Sequence, residues 1–227
     1  QKHDVYTKVP IAECLGKTGK KPIGVRWVDV NKGDDGDPDY RSRWVGREFK
    51  GNDNDRDDLF AATPPLEAKR SLIALAACQK GVKSEKLKRL GFIDIRKAYF
   101  HAPAKRLVCV TLPPEFCEPH EIGKVCGRLN YSLYGTRKAA TNWQTHYTEV
   151  LVQSGFVTGW ANNCTFYNEE KNMFCMVHGD DFVSTGTASS LKWLESVLSK
   201  EVKIKTNVID PDKKDEKELK ILNRIIR

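Results

Sequence analysis

Apolar and polar residues alternate through "PIGVRWVDV" (Pro22–Val30), and "YRSRWVGREF" (Tyr40–Phe49) follows after the run "NKGDDGDPD" (Asn31–Asp39). Alternation beside a Gly/Asp/Pro cluster predicts a β-hairpin over residues 22–50. The polar stretch 50–58 reads as a solvated acidic connection. Pro64 and Pro65 then open a helix across about Leu66–Gln79, with Glu67 in its first turn and Gly81 just past its end. "RLGFIDI" (Arg89–Ile95) is a short apolar strand, and "RKAYFHA" after it a helical turn. "RLVCVTLP" (Arg106–Pro113) reads as a strand, and "KVCGRLNYSLYG" (Lys124–Gly135) as a strand running into a turn. Trp143, Tyr147, Val150 and Leu151 fall at i, i+4, i+7 and i+8, the stripe of a helix that Gly155 ends. Strands follow at Cys164–Asn168, Met173–Val177 and Phe182–Thr185. A helix near Ser189–Lys200 carries Leu191, Leu194, Val197 and Leu198 on one face. "VKIKTNV" alternates as a strand, "DPDKKDEKE" is a charged loop, and "LKILNRIIR" closes the chain as a strand. Strand, helix, two strands, helix, strand is the order of a split βαβ (ferredoxin-like) unit. The expected fold class is therefore α+β, with an antiparallel sheet and helices on one face.

One of these turns carries unusual charge. "CMVHGDDFVSTG" (Cys175–Gly186) sets Asp180 and Asp181 side by side behind a glycine, between apolar runs. A carboxylate near a packed sheet has to be hydrated, paired or bound to a cation. Two readings stay open on this stretch: a solvated hairpin tip, or a rigid turn that holds a hard divalent cation through oxygen. The second needs another carboxylate from a neighbouring strand. In the split plan the strand ending at Asp94 lies beside this hairpin, which makes Asp94 the candidate, with Tyr99 five residues further on. Carboxylates on adjacent strands, joined by a substrate's phosphates, make a two-metal phosphoryl-transfer site.

Composition sharpens the choice of partner. A net charge of +8 favours a polyanion, and Lys and Arg interleave with aromatics at Lys20–Trp27 and Tyr40–Lys50, as backbone-tracking surfaces do. With 40% hydrophobic and 30% charged residues, and apolar runs no longer than "LIALAAC", no membrane partner is expected. Seven cysteines without a C-x-x-C pair suit reduced thiols in an intracellular protein. Cys117, His120 and Cys126 lie close in sequence, but their spacing fits no standard zinc finger. The chain opens on a polar stretch at Gln1 with no signal peptide, and is expected to be a piece of a longer protein.

Six motifs in order then carry a resemblance: "YRSRWVGREF", "DLFAATPP", "FIDIRKAYFHA", "SLYGTRKAATNW", "SGFVTGWANNCTFY" and "MVHGDDFVSTG". The chain resembles the reverse transcriptase of copia-type long-terminal-repeat retrotransposons over about residues 22–226. The resemblance implies a right-hand polymerase, here fingers and palm, that makes DNA on RNA and DNA templates. It implies residues 1–21 as an N-terminal extension, 22–88 as fingers with the first palm helix, and 89–227 as palm, without thumb, connection or ribonuclease H. By motif match, Asp94 and Asp180 are the principal ligands of two Mg²⁺ (Mn²⁺ as an alternative), with Asp181 beside them and the Ile95 carbonyl assisting. Tyr99 matches the aromatic under the incoming sugar that excludes a 2′-hydroxyl. Arg43, with Arg41 or Arg47, matches the cations on the triphosphate, and Gly135 and Arg137 sit in the loop facing nucleotide and template. Implied partners are RNA/DNA template-primer, dNTPs and the rest of a Pol polyprotein, in a cytoplasmic virus-like particle or the nucleus. His178 and Gly179 stand where the family has an aromatic and a branched residue, Glu48 where it has glycine, and Lys138 and Ala140 where it has glutamine and proline. Such departures leave room for a catalytically inactive or domesticated remnant that binds nucleic acid or a partner. A metal nuclease fits less well, because no histidine or lysine general base is obvious beside the aspartates.

Overall fold

The fold comes from a computed structural model of the chain, which describes residues 4–49, 61–79, 81–83, 86–209, 218–221 and 224–226. The acidic connection expected at 50–58 lies outside the described residues, as does the charged loop after 209 apart from Glu218. In chain order the elements are β1 (Tyr6–Pro10), α1 (Ile11–Thr18), β2 (Val25–Asn31), β3 (Tyr40–Gly46), α2 (Leu66–Ala77) and β4 (Arg89–Ile95). Then come β5 (Cys109–Thr111), β6 (Val125–Leu129), α3 (Ala139–Gln153), β7 (Val157–Thr158), β8 (Thr165–Asn168) and β9 (Met173–His178). The last are β10 (Asp181–Gly186), α4 (Ala188–Glu201), β11 (Ile204–Ile209), β12 (Leu219–Ile221) and β13 (Arg224–Ile226). No described helix is long and apolar enough to cross a membrane.

The chain divides into two compact units, residues 1–60 with Tyr99–His146, and Ala61–Ala98 with Tyr147–Arg227. The segment read as an extension contains β1 and α1, and β1 pairs antiparallel with β6 inside the first unit. Its alternation is short and interrupted by Pro10, so the pattern alone does not announce a strand and a helix.

In the first unit β1, β6 and β5 form one small sheet, and β2 and β3 form a separate hairpin. The hairpin loop shows why it is rich in Asn, Gly and Asp. Asn31 Oδ1 accepts hydrogen bonds from the Gly33 and Asp39 amides, and Asp34 Oδ1 from the Gly36 and Asp37 amides. Short polar side chains thus stand in for backbone acceptors through the reversal. The core of this unit gathers Trp44, Val108, Val110, Leu129 and Leu133.

The second unit is built on one sheet of order β11-β4-β10-β9-β8-β7, antiparallel throughout. Its strands alternate sides, as pleating requires. Leu90, Phe92, Val183 and Met176 meet Leu72 of α2 on one face. On the other, Gly91 lies under Leu191 of α4, and the Phe182 ring meets Tyr147 of α3 at 5.7 Å. Helices on one face therefore describes α3 and α4 but not α2, which covers the opposite side. The physical reason is in β4 and β10, whose burial is nearly continuous and not alternating, so both faces need a cover. The closing stretch also differs from a single strand: β12 and β13 pair antiparallel with each other.

Candidate active site

The sheet of the second unit delivers the twin aspartates to a third. β9 and β10 form a hairpin whose last pair is His178 opposite Asp181, leaving Gly179 and Asp180 at the tip. Gly179 has φ 65°, the left-handed value that a two-residue hairpin asks of its first loop position. That requirement explains a glycine where a branched residue would be strained. On its other side β10 pairs with β4, and the register sets Asp181 directly opposite Asp94. The Ile95 amide donates to the Asp180 carbonyl at 2.9 Å, so the tip is tied to the end of β4. Directly opposed residues of an antiparallel pair project to one face. Asp94, Asp181 and His178 accordingly share the face that α2 covers.

The electrostatics report the crowding. Asp94 and Asp180 are exposed and Asp181 is partly buried. Burial first, then the charges of Asp180 and Asp94, push the Asp181 carboxyl up to about 6, against an opposing pull from Lys69. His178 is pushed below its ordinary value by burial and then by Lys69, with Asp180 opposing. Its Nδ1 is buried with no hydrogen-bond partner among the described residues. Lys205 of β11 stands opposite Asp94 in register. Lys69 and Lys205 were not singled out by sequence reasoning, because a lone lysine in a helix or strand carries no motif. Ile95, named for its carbonyl, is buried at 1% exposure.

A second set lies within the first unit. The Tyr99 ring, partly buried on the 3₁₀ turn Ala98–His101, sits 4.5 Å from the Tyr134 ring. The Arg43 guanidinium stands 6.0 Å over the same Tyr134 ring, a cation–π contact. Tyr134 thus brings two of the nucleotide-binding candidates together, and nothing in "SLYGTRKAATNW" sets it apart by spacing. Arg41 is turned elsewhere, onto Asp39 Oδ2 through Nε at 2.9 Å and Nη2 at 2.8 Å. Arg47 lies 5.6 Å over the Phe49 ring while its amide donates to the Gly24 carbonyl. Of the three arginines, Arg43 shares the Tyr134 ring with Tyr99, while Arg41 meets Asp39 and Arg47 meets Phe49.

The loop after Tyr134 is locked by backbone. The Gly46 amide donates to the Tyr134 carbonyl at 2.7 Å, and the Glu48 amide to the Gly135 carbonyl at 3.3 Å. Gly135 has φ 79°, and a Cβ there would stand 2.1 Å from the Gly46 carbonyl oxygen. No other residue fits that approach. The Arg137 amide donates to Glu48 Oε2 at 2.8 Å, and Glu48 is also ion-paired with Arg106. Arg137 lines a cavity of about 420 Å³ with Lys20, Lys21, Arg106 and Glu48 among its walls.

These observations belong with a family. The chain belongs to the reverse transcriptase (RNA-dependent DNA polymerase) family, whose profile matches residues 13–209. It is similar to the retrovirus-related Pol polyprotein from transposon TNT 1-94 of Nicotiana tabacum, 24% identical over 198 residues. The shared stretch takes in 84% of this chain and 14% of the relative's length. The chain is thus a reverse transcriptase domain of the kind carried by retrotransposon Pol polyproteins.

Proposed function

We propose that this domain is the fingers and palm of a polymerase that extends a DNA primer on an RNA or DNA template, and that Asp94, Asp180 and Asp181 are its catalytic carboxylates. The observation that carries the reading is the register of β4 and β10, which opposes Asp94 to Asp181 while Ile95 holds the Asp180 backbone. The neighbouring strand order β11-β4-β10-β9 supports a split βαβ palm.

The donor set suits a hard divalent cation. A carboxyl raised to about 6 by burial, and then by two neighbouring carboxylates, is favoured in its charged form by a cation among them, and oxygen is the ligand that Mg²⁺ or Mn²⁺ prefers. Asp94, Asp180 and Asp181 would hold two such ions, with the Ile95 carbonyl assisting. When bound, the ions supply charge neutralisation on the phosphates and an acidified primer hydroxyl. The protein's own part is positioning. Arg43, with Arg41 or Arg47, steadies the triphosphate as a fixed guanidinium fork. Tyr99, braced by Tyr134, limits room at the sugar's 2′ position. Gly135 and Arg137 present backbone and cation to nucleotide and template, and Lys69 and Lys205 moderate the carboxylate charge. The setting is the rest of a Pol polyprotein in a cytoplasmic particle or the nucleus.

The test is Mg²⁺-dependent primer extension beside salt-titrated template binding. Asp180→Asn keeps the side chain's shape and removes one charge, so extension should fall by at least about 100-fold while binding, which rests on Lys/Arg–phosphate contacts, persists. In the same assay Tyr99→Val should raise ribonucleotide incorporation relative to deoxyribonucleotide. Equal inactivity of wild type and Asp180→Asn, with equal binding, would replace the enzyme by a nucleic-acid-binding remnant.

A further inference from the structure

Three of the seven cysteines meet where no spacing pattern announces them. Cys14 comes from α1, Cys109 opens β5, and Cys126 lies in β6. β5 and β6 pair with Cys109 opposite Arg128 and Thr111 opposite Cys126, so the two cysteines are diagonal neighbours on one face of the small sheet. β1 pairs with β6 on the other side, Val9 opposite Cys126, and runs straight into α1, which lays Cys14 over the pair. All three are buried, at 2%, 5% and 0% exposure, and their sulfurs lie within 4.8 Å of one another. Among the described residues this is the set of His, Cys, Asp and Glu side chains that closes on one point in this way.

Buried thiols are ordinarily small hydrophobes, and Val9 and Ile11 beside these fit that role. Two further facts go beyond packing. Three sulfurs each about 2.3 Å from one zinc ion lie roughly 3.8–4.0 Å apart, so the observed triangle needs only small adjustments to close on an ion. The cluster also has an opening: Cys14 and Cys109 both line the cavity of about 420 Å³ that Lys20, Lys21, Arg106 and Arg137 share. That cavity gives an ion a way in and a fourth coordination position for water. Its cations offset the net negative charge that three thiolates leave around a divalent metal. The Cys14 thiol donates weakly to the Lys20 carbonyl at 3.9 Å, a contact that metal binding would replace, and lies 3.8 Å from the Thr18 hydroxyl.

We infer that Cys14, Cys109 and Cys126 form a three-thiolate site for a soft cation, Zn²⁺ in the first instance, with water from the cavity as fourth ligand. Binding releases three thiol protons to solvent and involves no change of oxidation state. The site ties the β1–α1 segment to the β5–β6 pair, a structural role separate from the aspartates, because hard carboxylate oxygens and soft sulfurs prefer different metals. It stands whether or not the polymerase reading does.

The probe is Co²⁺ as a spectroscopic stand-in for Zn²⁺, added to the reduced, metal-free protein. One equivalent should produce a thiolate-to-cobalt charge-transfer band with the intensity of three sulfurs. Zn²⁺ should bleach it and excess Mg²⁺ should not. Cys126→Ser should weaken binding by more than the roughly 100-fold that loss of an outer hydrogen-bond partner brings. Cys175→Ser, changing a buried thiol of the other unit, should leave the band intact. Should Cys126→Ser fail to fold, Cys14→Ser in α1 carries the same expectation, and Zn²⁺ should raise the wild-type melting temperature. Absence of the band, its persistence in both Ser variants, or a disulfide between two of these cysteines in protein isolated without reductant would overturn the inference.

Discussion

Two glycine-led turns carry the candidate chemistry, one in each unit, and they are built by opposite means. At the Gly179–Asp180 tip the strands do the positioning: β4, β9 and β10 fix the registers, and the turn itself is open, with nothing within 4 Å of a Cβ placed on Gly179. At Tyr134–Gly135 there is little sheet, and single backbone hydrogen bonds from Gly46 and Glu48 hold the loop against β3. A site set by register tolerates changes at its tip, whereas a site set by close backbone approach does not.

The largest expected effect follows from that contrast. Gly135→Ala adds a strained φ and a collision with the Gly46 carbonyl, and should cost about 3–4 kcal/mol in urea unfolding. Gly179→Ala meets the same backbone preference without the collision, and should cost about 1 kcal/mol. Similar costs for the two would dissolve the distinction.

The second effect has the opposite sign and belongs to the register-built site alone. The Asp181 carboxyl is raised from 3.8 to about 6. A carboxyl raised on folding favours the fold below its unfolded value near 3.8, and that contribution is lost as pH climbs through about 6. Asp181→Asn should therefore be more stable than wild type at pH 7 without divalent cation, by about 1–2 kcal/mol once partial exposure is allowed for. The gap should shrink toward pH 4, and added Mg²⁺ should stabilise the wild type more than the variant. A gap unchanged between pH 4 and pH 7 would mean that packing, not charge, drives it.

How much of this was legible from the sequence follows the same division. The β2–β3 hairpin, the helices α2, α3 and α4 and the strands around the twin aspartates follow periodicity, because a regular element repeats its instruction along the chain. That the strand ending at Asp94 lies beside the Asp180 hairpin followed from the split βαβ order, whereas the register that opposes Asp181 to Asp94 did not. The face covered by α2 did not, because continuous burial in β4 and β10 says that both sides are covered without saying by what. In the first unit β1 and α1 are not legible, since five strand residues and eight helical ones leave too little pattern. The roles of Tyr134 and Glu48, and the union of three cysteines from α1, β5 and β6, depend on tertiary approach that no spacing records. The same holds for the exposed ion pair of Arg41 with Asp39, which no motif announces.

The claim at the centre is that Asp94, Asp180 and Asp181 act together on a divalent cation. It is tested most directly by titrating the protein with Mn²⁺ and following paramagnetic broadening of assigned backbone amide signals. The account predicts that Asp94, Ile95, Asp180 and Asp181 broaden first, at the lowest Mn²⁺ additions, and that Asp180→Asn moves their broadening to higher concentration. Broadening that begins instead at the exposed acidic loop Asp34–Asp39, with the β4 and β10 ends unaffected, would contradict it.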